Sequence, residues 1–530
     1  MVAPREVHFV ACVHGMWGVP AHLASVENTI RDKFAEGTEG PELVTLRIQT
    51  NADGFTYDGF DWGAERAVKE IYAKIEEIEK EGSKKVTRFS MVGYSLGGLI
   101  SRYAIGILYQ RGFFKTVKPV NFTTFATPHI GLPRFRGFVG RMMHKLGPVM
   151  LSRTGRQFYC VDNDIWSPDA KEGRPLLEVI SDKDSIFFKA LSAFPNLTIY
   201  GNAVHDLTVT YCSSMIESHD PFTSQSAKEN RVAIKMDPEY KHVIQSFYNV
   251  PEGEEIPVHD LEKERQAEIE AIPWYKPDRY RSRRPFVPPF LKFPFPLNIL
   301  FYCMVPLLIP VGLTYAVIRF RRESRMSEKR LVELMASSEN DSTLASILRR
   351  MEMAVANSMD PDDPGAFGSR QDMGWESASD MEEGTRVETR EDVRKRKASR
   401  PDTPEAERQL ELERGAGSLL SPLPTPGSHT PSTDPLTKST SAAKTESQKY
   451  EQLVLRATPN PSDPDQPILT PGQLKMIESL NSIPQLKKVR AYFPYVRNAH
   501  SIIVARDPGM FPIHNDGVSV IRHWADRFVL

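Results

Sequence analysis

Apolar positions along the first half of the chain follow two alternating periods. Segments rich in apolar and β-branched residues predict buried strands at residues 7–13, 42–48, 86–92, 120–126 and 197–200. Between them, apolar residues recur every three or four positions and predict helices at residues 20–34, 63–81 and 97–109. Such alternation is typical of a mostly parallel sheet covered by helices on both faces. The pattern therefore predicts an α/β fold.

Residues 129–195 interrupt this alternation. They are partly helical in pattern, and their apolar side chains include Phe135, Phe138, Met142, Met143, Leu146 and Met150. An apolar stripe at helical spacing is typical of an ordinary core helix. The alternative is a lid above a binding site, and both interpretations stay open at this point.

A long apolar segment lies at residues 295–320. From residue 297 to 318 it is long enough to cross a hydrocarbon layer of about 30 Å. Pro306 and Pro310 interrupt its middle, and arginines flank it on both sides. Positive charge marks the cytoplasmic side of a span, so a membrane hairpin that enters and leaves on one side is favoured over a single transmembrane helix.

Composition divides the rest of the chain. Residues 1–255 are globular in pattern, residues 256–294 form a basic, proline-rich linker, and residues 321–354 are helical in pattern. Residues 355–470 are poor in aromatic residues and rich in Ser, Thr, Pro and charged residues, which predicts disorder. Residues 471–530 regain a strand and a helix, and we expect them to complete the first globular segment.

Charge and cysteine content exclude several function classes. The net charge is −1, which gives nucleic acid no general electrostatic attraction. The four cysteines are scattered without a CxxC or Cys/His cluster, so we expect no metal and no cofactor. They form no disulfide framework, which fits a reducing compartment. The N-terminus lacks the apolar region and cleavage site of a signal peptide.

The strongest chemical signal is the sequence Gly93-Tyr94-Ser95-Leu96-Gly97. It matches G-x-S-x-G, and it stands between a predicted strand and a predicted helix, as a nucleophile elbow requires. Glycines on either side let the strand and helix approach closely, while the turn lifts the serine hydroxyl above the sheet. Ser95 is therefore the predicted nucleophile of an α/β-hydrolase.

A second motif, His14-Gly15-Met16-Trp17-Gly18, follows the first strand. In hydrolases of this type, a loop at this place supplies one N–H of the oxyanion hole, and the residue after the nucleophile supplies the other. Met16 and Leu96 are the predicted donors. A plain glycine-rich turn at the end of the strand is the alternative.

The acid and base of a catalytic triad should follow later strands in the order Ser, Asp, His. Asp206 follows the strand at residues 197–200 and is the predicted acid, with Asp220 as the second candidate. His500 follows a predicted strand at residues 487–495 and is the predicted base, with His514 as its main competitor. His242 also follows the acid but lies in a segment of helical pattern. We expect structural roles for His205, in a loop, and for His523, in the final helix.

Several of these segments resemble the fungal serine esterases of the lipase-like class. The matching motifs are HGMWG at His14, TYDG at Thr56, GYSLGG at Gly93, ATPHIG at Ala126, residues 147–157, YGNAVHD ending at Asp206, and AHSIIVAR at Ala499. The resemblance covers residues 5–250 and 486–530. It implies phospholipase or triacylglycerol lipase activity and a lipid-droplet location, and it supports His500 as the base.

The sequence therefore predicts a serine lipase or phospholipase that hydrolyses glycerolipid esters at a membrane or lipid-droplet surface. We expect the catalytic core on the cytoplasmic side of a lipid droplet or the endoplasmic reticulum. Two other functions stay open: a weakly catalytic membrane tether, and a serine-dependent acyltransferase. The His-x₄-Asp pair of glycerolipid acyltransferases occurs as His429 and Asp434, within the segment expected to be disordered.

Overall fold

A single mixed sheet organises the protein in the computed structural model. The structure describes residues 4–35, 40–163, 173–222, 231–250, 271, 273, 297–338, 453–456 and 467–530. All of them belong to one compact unit, formed by residues 1–359 together with residues 444–530. Most of residues 355–470, predicted to be disordered, and most of the linker at residues 256–294 lie outside the described residues.

Within the described residues, nine strands form the sheet in the order β2-β1-β3-β4-β5-β9-β7-β6-β8. The six strands from β2 to β9 are all parallel, and the last three pair antiparallel. Their bounds are β1 Arg5–Val13, β2 Glu42–Arg47, β3 Lys84–Tyr94, β4 Lys118–Phe125, β5 Asn196–Asn202, β6 Arg231–Met236, β7 Val243–Val250, β8 Leu453–Arg456 and β9 Leu486–Ala491. The predicted α/β fold with a mostly parallel sheet is confirmed.

Eleven α-helices of the described residues connect or cover these strands. They are α1 Ala24–Lys33, α2 Phe60–Glu79, α3 Leu96–Gln110, α4 Phe138–Met150, α5 Ser152–Phe158, α6 Leu176–Ser181, α7 Ile186–Ser192, α8 Tyr211–Met215, α9 Leu297–Ser338, α10 Pro471–Asn481 and α11 Val518–Asp526. Short 3₁₀ helices stand at Pro20–Leu23, Asp53–Tyr57, Phe113–Lys115 and Pro512–Gly517.

Each face of the sheet carries its own apolar core, because side chains alternate along a strand. On β1, Phe9 and Ala11 join the core beneath α2 and α3, whereas Val10 and Cys12 join the core beneath α1 and α11. All four side chains are at most 1% exposed. Burial on both faces explains why β1 reads as a continuous apolar run rather than an alternating one.

The C-terminal segment is built into this sheet. Strand β9 lies between β5 and β7, and α11 packs against α1. The Asn121 side chain of β4 exchanges hydrogen bonds with the Val529 backbone, donating to its carbonyl at 2.8 Å and accepting from its N–H at 3.1 Å. Residues distant in the chain therefore share one hydrogen-bonded core.

The predicted membrane hairpin is wrong. Helix α9 runs without interruption from Leu297 to Ser338 and contains both Pro306 and Pro310. A proline removes one backbone hydrogen bond, which a helix of this length tolerates because the neighbouring turns stay paired. No helix in the described part of the chain is long and apolar enough to cross a membrane.

Two further segments differ from the sequence pattern. The segment around His242, expected to be helical, contains β7, which pairs with β6 and β9. Strand β8 lies inside the stretch expected to be disordered and pairs antiparallel with β6. In both cases a sheet edge offers hydrogen-bond partners that local pattern does not reveal.

Candidate active site

The nucleophile elbow stands where β3 turns into α3. Ser95 has φ 55° and ψ −125°, a backbone conformation that non-glycine residues rarely adopt. A Cβ at Gly93 would collide with the Gly98 backbone, and one at Gly97 with the Val13 carbonyl. Glycine is therefore required on both sides of the serine for the strand and helix to approach this closely.

A chain of hydrogen bonds links the three predicted triad residues. Ser95 Oγ lies 3.0 Å from His500 Nε2, and His500 Nδ1 lies 3.1 Å from Asp206 Oδ2. Ser95 is 5% exposed and His500 is 8% exposed. The structure thus brings together Ser95, Asp206 and His500 from the ends of β3, β5 and β9, at one edge of the sheet.

Asp206 is held in place by donors from its own loop and from the end of β5. Its Oδ2 accepts from Asn202 Nδ2 at 2.7 Å, and its Oδ1 accepts from the backbone N–H groups of Thr208 and Val209, both at 2.9 Å. Burial alone would raise the pKa of Asp206. The adjacent His500 and these hydrogen bonds outweigh burial and keep that pKa below its ordinary value. The carboxylate therefore stays ionised beside the imidazole.

Backbone hydrogen bonds hold His500 in the loop after β9. The backbone N–H of His500 donates to Asn498 Oδ1 at 3.1 Å, and its backbone carbonyl accepts from Tyr94 Oη at 3.0 Å. The adjacent Ala499 N–H donates to the His205 carbonyl at 2.8 Å. These bonds tie the base to the strand that carries the nucleophile and to the loop that carries the acid.

The competing candidates lie elsewhere. His514 contacts Ser501 Oγ at 3.1 Å and accepts from the Asp507 N–H at 3.0 Å. The other candidate histidines contact backbone or tyrosine oxygens through Nδ1: His242 contacts the Tyr492 carbonyl at 3.0 Å, His205 the Phe493 carbonyl at 3.0 Å, and His523 the Tyr200 hydroxyl at 2.9 Å. The Asp220 carboxylate accepts from the Phe222 N–H. Each of these groups has a structural partner of its own.

The loop after β1 lies against the nucleophile. A Cβ at Gly15 would stand 2.7 Å from Ser95 Cβ, so only glycine fits there. The Gly18 N–H donates to the Gly15 carbonyl at 3.0 Å, which closes a tight turn with Met16 and Trp17 at its centre. Leu96 begins α3, and the first N–H groups of a helix lack intrahelical acceptors. The structure thus places Met16 and Leu96 in segments that adjoin Ser95, and their role as donors stays a prediction.

Several residues that support the site escaped the sequence reasoning. Asn202 and Asn498 orient the acid and the base, and Tyr94 holds the His500 carbonyl. Asn202 stands four positions before Asp206 within the YGNAVHD motif, so its place in that motif was a usable signal. Asn498 lies two residues before His500 in the same loop, whereas the contact of Tyr94 with His500 joins segments 406 residues apart and depends on how the strands are ordered.

Two exposed apolar helical surfaces stand out in the described residues. On α4, Phe138 is 74% exposed and Val149 is 73% exposed, so α4 is not an ordinary core helix. On the first half of α9, the exposed side chains include Met304, Leu307, Leu308, Val311, Tyr315, Val317 and Ile318. Helix α9 also contacts α4 and α5. The predicted lid at residues 129–195 therefore presents apolar surface, while its motion stays a prediction.

The described residues contain no group of three or more His, Cys, Asp and Glu side chains that could hold a metal ion. The His429–Asp434 pair lies outside the described residues. The chemistry available from the described site is that of a serine hydroxyl, an imidazole and a carboxylate.

Comparison with known proteins supports the resemblance noted in the sequence. Residues 3–220 match the family described as "Putative serine esterase (DUF676)". A "Putative lipase" of Schizosaccharomyces pombe is 28% identical over 221 residues, which is 40% of this chain and 26% of that protein. The "Putative lipase ROG1" of Saccharomyces cerevisiae is 30% identical over 165 residues, 30% of this chain and 23% of that protein. The resemblance to fungal serine esterases is thus confirmed over this region, and the chain matches about a quarter of the length of these relatives.

Among solved structures, the chain is similar to a phospholipase of Legionella pneumophila, in complex with thio-NAD, at 17% identity and a TM-score of 0.23. That similarity covers 39% of this chain and 40% of the other. It is also similar to a thioesterase of Streptomyces coelicolor at 15% identity and a TM-score of 0.21, covering 40% and 79% of the two chains.

Proposed function

From the serine esterase match over residues 3–220 and the hydrogen-bonded chain of Ser95, His500 and Asp206, we propose that this protein is a serine-dependent hydrolase of carboxylic esters. The proposal rests above all on the contacts of the two imidazole nitrogens of His500. Its Nε2 lies 3.0 Å from the serine oxygen and its Nδ1 lies 3.1 Å from the carboxylate. Both are within the range in which a base can take a proton from a nucleophile.

The reaction follows from this order of contacts. His500 Nε2 accepts the proton of Ser95 Oγ as the oxygen attacks the ester carbonyl. Asp206 accepts a hydrogen bond from Nδ1–H, which fixes the tautomer and stabilises the imidazolium that forms. The imidazolium then gives its proton to the leaving alcohol oxygen. The result is an acyl-enzyme on Ser95.

Hydrolysis of the acyl-enzyme uses the same groups in reverse. His500 takes a proton from water, the resulting hydroxide attacks the acyl carbonyl, and the proton returns to Ser95 as the carboxylic acid leaves. In both half-reactions negative charge develops on the carbonyl oxygen. We propose the N–H groups of Met16 and Leu96 as its donors, because Gly15 abuts Ser95 and Leu96 begins α3.

The proposed substrates are lipid esters, either phospholipids or acylglycerols. Two observations support this class. The matched relatives carry the description of lipases, and α4 and α9 expose large apolar side chains on the same unit as the site. Contiguous exposed apolar surface marks sites of contact with lipid or with other proteins. The four exposed arginines after the apolar half of α9 suit an anionic surface: Arg319, Arg321, Arg322 and Arg325.

We also propose that the protein works at the surface of a lipid droplet or of the endoplasmic reticulum, with the core on the cytoplasmic side. An amphipathic helix that lies in the headgroup region needs no span. Imaging of the tagged full chain beside a neutral-lipid dye would test the location. A signal spread evenly away from both lipid surfaces would contradict it.

The activity is tested by fatty-acid release from phospholipid and triacylglycerol emulsions. The full chain would be compared with Ser95→Ala and with Ser218→Ala, the same change at an exposed serine that is not part of the hydrogen-bonded chain. We expect release from the wild type and from Ser218→Ala, and none above background from Ser95→Ala. Wild-type protein without activity on any lipid or soluble ester would contradict the proposal and favour a tethering role.

A further inference from the structure

The turn beside the nucleophile contains a strained tryptophan. Trp17 has φ 52° at the third position of the turn closed by Gly18 and Gly15. Positive φ at that position is normally supplied by glycine or asparagine. A bulky residue keeps such a conformation only when its surroundings determine it from several directions, and such residues cluster at functional sites.

Three contacts hold Trp17 in this conformation. Its backbone N–H donates to Thr56 Oγ1 at 3.3 Å, and its indole Nε1 donates to Tyr57 Oη at 2.8 Å. Its ring stacks on Phe320 of α9, with centroids 5.9 Å apart and planes inclined by 23°. Trp17 is nevertheless 51% exposed, so burial in the core does not explain its position.

The Asp53–Tyr57 turn that receives Trp17 is itself fixed by buried groups. Thr154 Oγ1 donates to the Thr56 carbonyl at 2.7 Å, and Asp58, whose side chain is 0% exposed, pairs with two arginines. One is Arg66 at 3.0 Å. The other is Arg330 of α9 at 2.8 Å, which also donates to the Gly54 carbonyl at 2.9 Å. Removing one partner of a buried carboxylate strongly destabilises the fold. The ion pair between Asp58 and Arg330 therefore keeps α9 against the Asp53–Tyr57 turn.

The second half of α9 presents one side to the core. Phe320 contacts Trp17, and the next residues on that side are buried at helical spacing: Ser324 at 8%, Ser327 at 0% and Leu331 at 8% exposed. Their neighbours Arg321, Arg322 and Arg325 are exposed. The helix is therefore docked along a defined stripe, which fixes the place of the Phe320 ring.

We propose that Trp17 is a positioning residue for the oxyanion hole and that α9 holds it through Phe320. The N–H groups of Trp17 and Gly18 already have acceptors, Thr56 and Gly15. Among the three residues from Met16 to Gly18, the Met16 N–H is the one that remains for the substrate. Fixing Trp17 fixes the turn and hence the direction of the Met16 amide. This inference rests on the proposed esterase function and assigns Trp17 no contact with the reacting atoms.

Kinetic measurements distinguish a positioning role of Trp17 from an effect on folding stability. A donor that is misdirected weakens binding of the transition state and leaves ground-state binding unchanged, so kcat falls while KM holds. Loss of a whole oxyanion donor costs about 10²–10³-fold in kcat. Because Phe320 acts on the donor indirectly, we expect about a 10-fold decrease for Phe320→Ala.

The test uses the full chain and a water-soluble short-chain nitrophenyl ester, so that binding to lipid plays no part. Fluorophosphonate titration counts the active sites, and kcat is expressed per titrated site. We expect Phe320→Ala to lower kcat about 10-fold with KM within about twofold of wild type. Phe320→Tyr and Phe320→Trp keep the stacked ring and should restore at least half of wild-type kcat. Affinity for a trifluoromethyl ketone, which forms the tetrahedral adduct, should fall in parallel with kcat.

The possible outcomes distinguish the two proposals. Turnover that depends on Ser95, with kcat unchanged in Phe320→Ala, would overturn the positioning role and leave the esterase function intact. An equal loss of kcat in the alanine, tyrosine and tryptophan variants would also overturn it, because the stacked ring would then be irrelevant. Wild-type protein without turnover dependent on Ser95 would remove the esterase function, and the role of Trp17 with it.

Discussion

Two regions of the molecule differ in which side chains they bury: the hydrogen-bonded chain at the carboxyl ends of β3, β5 and β9, and the first half of α9. At the sheet edge, polar side chains are buried, and Ser95, His500 and Asp206 are joined to one another. On α9, apolar side chains face outward, with Leu307 at 65% and Val311 at 66% exposed. Buried polar groups are normally hydrogen-bonded, and large apolar patches exposed on an isolated protein mark sites where a membrane or another molecule binds. The first region thus suits chemistry, and the second suits the contact with a lipid surface that we propose.

This contrast predicts that changes in the two regions have separable effects. A change in the hydrogen-bonded chain should lower turnover of every ester, whether soluble or in a lipid surface. A change on the exposed half of α9 should affect only esters presented in a lipid surface.

The largest effect is expected for Ser95→Ala. Without the nucleophile no acyl-enzyme forms, and loss of such a residue lowers kcat by about 10⁶-fold in well-studied serine enzymes. Soluble and emulsified esters should lose activity alike, as measured by titration of the released acid. A residual rate above one-hundredth of wild type on either substrate would place the nucleophile elsewhere.

Asp206→Asn should have the next largest effect. The amide cannot accept the His500 Nδ1–H as the carboxylate does and favours the wrong imidazole tautomer, so we expect kcat to fall by about 10⁴-fold with the fold intact. Circular dichroism and the melting temperature would check the fold. The matched control is Asp220→Asn, a carboxylate outside the chain. Equal losses in the two variants would contradict the assignment of the acid.

Val311→Asp should have a smaller and selective effect. Its control is Val332→Asp, the same change on the second half of α9 at nearly equal exposure, 66% against 67%. Burying a valine in lipid contributes ~1.5–3 kcal/mol, so we expect Val311→Asp to reduce flotation with anionic vesicles about 10-fold or more. Turnover of a soluble ester should stay within twofold of wild type. Similar vesicle binding by both variants would remove α9 from the lipid contact.

The smallest effect concerns stability in acid. The folded-state pKa of Asp206 is lower than its unfolded value, so its ionised form stabilises the fold above the ordinary range of an aspartate. That contribution is lost as the pH falls through the ordinary value of 3.8 to the lower folded value. The free-energy difference of unfolding between wild type and Asp206→Asn should therefore shrink as the pH falls from 6 to 3. Urea titrations would measure this difference, and a difference that grows as the pH falls from 6 to 3 would show that the folded-state pKa of Asp206 is not lowered.

The sequence predicts some features of the molecule better than others, for physical reasons. The elbow at Ser95 was recognisable because its sterics demand glycine within two residues on either side. His500 and Asp206 were recognisable from the order of motifs, and the structure brings them together. The hairpin was wrong because local pattern at Pro306 and Pro310 cannot show that the following half of α9 docks on the core.

Other features depend on contacts between distant segments. The stacking of Trp17 on Phe320 and the pairing of Asp58 with Arg330 require α9 to pack beside the loop after β1. Strand β7, which begins directly after His242, forms because β6 and β9 offer it partners. Neither arrangement leaves a periodic signal in the chain, and tertiary context overrides local propensity in both.

The role of Ser95 as nucleophile is tested by the site at which a fluorophosphonate labels the full chain, read by mass spectrometry after digestion. We expect a single phosphonylated serine, Ser95, which is labelled in the native protein, far more slowly in His500→Ala, and not after denaturation. Absence of label in the native protein, or labelling of another serine at a comparable rate, would contradict the assignment of this chain as a serine hydrolase acting through Ser95.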